Sequence, residues 1–86
     1  MNYKLNSDYS YCVDMFDIKL INMKERKQLT LKYPEAAVYA LMIKGYAYTD
    51  MIRLMAEIAF VTRSHAESLV NDTMKMLQKY DIIEKQ

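Results

Sequence analysis

One histidine, one cysteine and two nearby aspartates are the residues of this chain whose types suit catalysis. A general base needs a nucleophile and an orienting group within hydrogen-bond reach. Nothing near His65 supplies either, and a histidine in the first turn of a helix reads as a solvated surface residue. Cys12 cannot complete a zinc site alone, because structural zinc takes four ligands and catalytic zinc three. Asp14 and Asp17 have the spacing of a carboxylate pair, but turn chemistry explains them more simply. The chain has no glycine-rich dinucleotide loop, P-loop or nucleophile-elbow motif. It is therefore expected not to be an enzyme and to hold no cofactor or metal.

The elements that position these residues follow from a change of rhythm at Lys32-Tyr33-Pro34-Glu35. Before it, apolar residues alternate, as in Leu29-Thr30-Leu31-Lys32-Tyr33. After it they recur every three or four positions, through Val38, Leu41 and Met42. The first period is that of a strand and the second that of a helix. Strands are expected over residues 9–13, 16–23 and 28–33, with the charge run Lys24-Glu25-Arg26-Lys27 at a hairpin tip. Pro34 suits a helix start and Gly45 a helix end, giving a first helix over 34–44. Thr49 is expected to cap a second helix reaching about residue 60. Ser64, with Glu67 three residues on, has capping-box spacing for a third helix reaching about residue 80. Ile82 and Ile83 are expected to fold back on the core.

Composition limits the possibilities further. The 86 residues suffice for one domain, and with 52% hydrophobic residues a thin core is possible. Residues 1–8 read as a loose lead-in. Neither a signal peptide nor a membrane span is legible, and a single cysteine suits a reducing cytoplasm. The net charge of +1 argues for no polyanionic partner. A winged helix-turn-helix DNA-binding regulator is the alternative to weigh, since the second and third helices read as such a pair. Phosphate contact needs Lys or Arg on the second helix of the pair. Between Ser64 and Met74 there are two acids and no base. The basic run lies at the hairpin tip, before the helices.

Peptide binding fits the remaining features. A sheet of three strands has an edge, and an uncovered edge offers free N–H and C=O groups to an extended peptide. The last helix would line a groove beside that edge with Val70, Met74 and Leu77, with Lys75 and Lys79 available to an acidic ligand. Eight methionines suit either an adaptable binding surface or a core poor in large aromatics.

Strand-strand-strand-helix-helix-helix in so short a chain resembles the pyrroloquinoline quinone biosynthesis protein D family, the PqqD-like precursor-peptide recognition elements. The resemblance lies in Gln28-Leu29-Thr30-Leu31-Lys32-Tyr33-Pro34-Glu35-Ala36-Ala37, in Leu41 to Gly45, in Ile52 and in Leu77-Gln78-Lys79-Tyr80-Asp81-Ile82-Ile83. It covers roughly residues 16–83. It implies an α+β, winged-helix-like single domain over residues 1–86: an N-terminal three-stranded antiparallel sheet followed by three helices. It also implies a non-catalytic peptide chaperone that binds the leader of a ribosomally synthesised precursor by strand addition. The leader would pair with residues 28–33 and lie against the third helix. The protein would then present it to a modifying enzyme, such as a radical S-adenosylmethionine (radical SAM) enzyme, which would carry its own iron–sulfur chemistry. A structural module that forms a homodimer through the same sheet edge is a further expectation.

Overall fold

Alternation along three short strands builds the larger sheet of the computed structural model, which describes residues 3–85. Strand β1 (Tyr3–Leu5) is followed by β2 (Tyr9–Asp14), β3 (Asp17–Asn22) and β4 (Lys27–Leu31). Helices α1 (Glu35–Ile43), α2 (Tyr48–Ala59) and α3 (Arg63–Lys79) come next, then β5 (Ile83–Lys85). Strands β2, β3 and β4 form an antiparallel sheet in that order, with Leu20 opposite Tyr11 on one side and Leu29 on the other. Ile18, Leu20 and Asn22 of β3 all point inward, the period-two signature of a strand with one face on a core. The expected α+β arrangement is present.

Each hairpin turn has a local cause. Asp14 pairs with Asp17, so Met15-Phe16 is a two-residue loop. Residues 23–26 make the charged tip between β3 and β4. There the buried Asn22 accepts the Glu25 N–H through Oδ1 at 3.1 Å. The strand expected over 28–33 ends at Leu31, so Lys32 and Tyr33 lie in the link to α1.

The helix ends agree with expectation in one place and differ in two. Gly45, at φ 83°, donates to the Met42 carbonyl, and Tyr46 N–H reaches back to Leu41. This is a Schellman ending, which glycine permits because it has no Cβ. Asp81, at φ 58°, ends α3 in the same way, with bonds to Gln78 and from Ile82 N–H to Leu77. The caps expected at Thr49 and Ser64 are not used. Ala47 precedes α2 without a side-chain bond, and Thr62 Oγ1 accepts the His65 N–H at 3.2 Å to start α3.

The core lies between the sheet and the helices. It contains Ile18, Leu20 and Leu31 from the sheet, Val38 and Met42 from α1, Met51 and Met55 from α2, and Val70, Met74 and Leu77 from α3. Met42, Met51, Met55 and Met74 are all buried, so core filling accounts for these four methionines. Ile82 and Ile83 complete the core as expected.

The loose lead-in is corrected from Tyr3 onward; Met1 and Asn2 lie outside the described residues. β1 pairs antiparallel with β5, Tyr3 opposite Lys85. Asn6 donates its backbone N–H to Ile82 and its Nδ2–H to Asp81, each at 2.9 Å. Tyr9 donates its hydroxyl to the Tyr80 carbonyl at 2.9 Å. These bonds tie the C-terminal end of α3 to the beginning of the sheet.

Leu20→Ala should cost about 2–5 kcal/mol, as a large buried side chain does when its cavity cannot fully collapse. Met23→Ala, on the exposed tip, should stay within about 0.5 kcal/mol. Urea denaturation of the two variants checks this, and equal losses would contradict the placement of the core.

Candidate functional site

The site begins with an edge. Among the described residues, β4 pairs with β3 alone, so alternate backbone groups of Lys27–Leu31 face away from the sheet. β2 has an open edge too. What distinguishes β4 is the wall beside it.

That wall is α3, and two recesses separate it from the strand. The first, of about 390 Å³, is lined by Lys27, Gln28, Leu29, Lys79, Tyr80 and Tyr9. The second, of about 200 Å³, is lined by Thr30, Leu31, Lys32, Glu35 and Met76. Residues 27–29 thus face the end of α3, and residues 30–32 face the turn before it. The lining residues of strand and helix run in opposite order, and the two recesses, which adjoin along β4, are together termed the trough.

All six expected strand residues can now be placed. Gln28, Leu29, Thr30, Leu31 and Lys32 line the trough. Tyr33 does not. It follows the end of β4 and lines a separate apolar recess with Val13, Met15 and Phe16.

The helix face needs a larger correction. Val70, Met74 and Leu77 are buried in the core and so cannot line a groove. Each helical residue turns the side-chain direction by about 100°, so a neighbour in sequence faces elsewhere. Leu77 points into the core, while Met76 and Tyr80, one helical turn apart, face the trough. Lys75 is exposed and lines neither recess. Lys79 lines the first, with its ammonium 5.9 Å from the Tyr80 ring centroid. Sequence reasoning missed Met76, Tyr80 and Tyr9 as trough residues. The period of α3 carries the signal for the first two, one residue out of phase with the expected face.

Three lysines line the trough, two of them beside acids. Lys27, Lys32 and Lys79 line it against the one acid Glu35. Lys27 is bonded to Glu25 at 3.0 Å, and this hydrogen bond and charge hold its pKa above the ordinary lysine value. Lys32 meets Asp17 at 3.6 Å. Both pairs are well exposed, so water and salt keep them weak and exchangeable.

The residues weighed for catalysis each have a structural place. His65 is exposed, and its N–H serves the cap of α3. Asp14 and Asp17 flank the β2–β3 turn, and each faces a lysine: Lys19 at 3.5 Å and Lys32 at 3.6 Å. Among the described residues, no three His, Cys, Asp or Glu side chains are grouped closely enough to hold a metal ion. No helix among them is long and apolar enough to cross a membrane.

The sequence matches no protein-family model and no curated protein. Two solved structures share the fold. TbiB1, in complex with the TbiA(beta) leader peptide, superposes with a TM-score of 0.89 at 13% identity, over 96% of each chain. Lasso peptide synthetase B1, complexed with the leader peptide, superposes with a TM-score of 0.86 at 14% identity. That match covers 96% of this chain and 98% of the other. The expected fold is therefore met along nearly the whole chain.

Replacing Leu77 with Lys should unfold the protein, because an unpaired charge in a full core is among the costliest single changes. Met76→Lys should remain folded with a near-normal melting curve. Circular dichroism melts of both test the helix phase, and a folded Leu77→Lys variant would contradict it.

Proposed function

We propose that this protein recognises the leader segment of a ribosomally made precursor peptide, taking it as an added strand on β4. The open β4 edge beside the lysine-lined, partly apolar trough carries the reading. An added strand gains main-chain hydrogen bonds, which are blind to sequence, and side-chain recesses, which are not. Alternate side chains of a bound strand would enter the trough while the others face solvent. The complexes formed by TbiB1 and by lasso peptide synthetase B1 with leader peptides support the same reading by analogy of fold.

In this reading the protein is a non-catalytic chaperone. Peptide chemistry belongs to a partner enzyme, for which a radical SAM enzyme is one class. This chain's part is to raise the local concentration of the peptide near that enzyme. The exposed free thiol of Cys12 fits a reducing compartment.

The site proposed comprises Lys27, Gln28, Leu29, Thr30, Leu31 and Lys32 on the strand side, and Met76, Lys79 and Tyr80 on the helix side. Strand addition is tested with synthetic peptides tiled along the TbiA(beta) leader and other leader sequences of ribosomally made precursors, titrated by fluorescence anisotropy. Thr30→Pro should abolish binding, because proline removes a donor and obstructs pairing. Since that variant can also lose its own pairing to β3, N-methylation of alternate peptide amides supplies the second arm. One of the two N-methyl registers should lose binding and the other keep it. Equal affinity of both registers would contradict strand addition.

Charge gives an independent prediction. Lys79→Glu should weaken an acidic leader several-fold, more at low salt than at high, as for a partly exposed interfacial charge. Lys75→Glu, outside the trough, should change little. A larger effect from Lys75 would move the site around the helix.

A further inference from the structure

The tip of the β2–β3 hairpin is built in a way that the peptide trough does not explain. Its two loop residues are Met15 and Phe16, with 85% and 84% of their surface exposed. Two-residue hairpin loops favour Asn, Asp and Gly, because they need positive φ. Here Met15 takes φ 57°, a left-handed conformation that costs energy for a residue with a large side chain. Val13 and Tyr33 beside them are 62% and 55% exposed. Strain and solvent-facing apolar surface thus coincide at one place.

The same surface contains a hollow. Val13, Met15, Phe16, Ile18 and Tyr33 surround a recess of about 360 Å³ whose floor is Ala36, Ala37 and Ala40 of α1. Small side chains at these helix positions leave room for an inserted ring. Met15 and Phe16 both project into solvent and form part of the hollow's wall, so projection and hollow share one patch. A two-fold contact has this requirement, since the same patch must serve both subunits and each projection must meet the other's hollow.

We propose that this face joins two copies of the chain, Phe16 of each entering the alanine-floored recess of the other. Charge permits it. The patch is flanked by the opposite-signed pairs Asp14–Lys19 and Asp17–Lys32, so a second copy meets no excess of like charge. Area gives its size class. The four exposed apolar residues offer on the order of 500 Å² per copy, at the upper part of the range for the largest patch on a monomer. Two such faces bury about 1,000 Å², near the lower limit for a specific contact and too little for an obligate dimer. The dimer is accordingly a weak one, and its dissociation constant is what the concentration series reads. It leaves both β4 edges free, unlike a dimer formed through β4, and does not depend on what the trough binds.

Sedimentation velocity of the chain alone, from about 5 μM to about 500 μM, brackets such a constant. The sedimentation coefficient should climb from the monomer value towards that of a dimer. Phe16→Asp and, separately, Ala37→Glu should each hold it at the monomer value throughout, with the far-ultraviolet circular dichroism of the parent. A parent chain that stays monomeric at the highest concentration overturns the proposal and leaves the face to a different protein. Self-association that survives either variant also overturns it, because the contact then lies elsewhere.

Discussion

The structure depends on how α3 divides its circumference. Ala66, Val70, Thr73, Met74 and Leu77 form one stripe, and the core receives all of it. The i, i+3, i+4, i+7 spacing admits only one such stripe per helix, so the neighbouring stripe must lie at the margin of the core. Met76 and Tyr80 occupy that margin, opposite the open edge of β4. The trough is thus a consequence of packing rather than an addition to it. The β1–β5 pair and the Tyr9–Tyr80 hydrogen bond tie down the far end of α3.

Much of this was legible in the sequence. Alternation before Lys32 and helical spacing after Glu35 identify sheet and helices, because side-chain direction repeats with the backbone. Gly45 marked a helix end correctly, since positive φ singles out glycine there. What failed were features decided at longer range or by small margins. Strand β1 pairs with residues some eighty positions away, and three residues carry too little pattern to announce that. Thr62 and Ser64 are both good cap residues, and only the path of the chain selects between them. The candidate site suffered most from the Met76-Leu77 pair. Both are apolar, so hydrophobicity cannot tell core from trough, and an error of one position moves the site by about 100°.

Two faces of unlike chemistry emerge. One is a strand edge with lysines and a partly apolar wall, suited to an extended chain with carboxylates. The other is an apolar tip and hollow built on β2, β3 and α1. Lys32 and Tyr33 link them in sequence, the first lining the trough and the second the apolar recess. Under the proposed reading, one small domain would hold a peptide on one side while its other face meets a second copy.

The central claim is that the peptide adds to β4. Amide hydrogen exchange, followed by nuclear magnetic resonance with and without a bound leader peptide, tests it most directly. In the free protein the outward-facing amides of residues 27–31 should exchange fast, as unpaired edge groups do. With the peptide bound, these amides should slow by at least about tenfold while the outward amides of β2 stay fast. Protection appearing on β2 or at the α2–α3 turn, with β4 unchanged, would contradict the account.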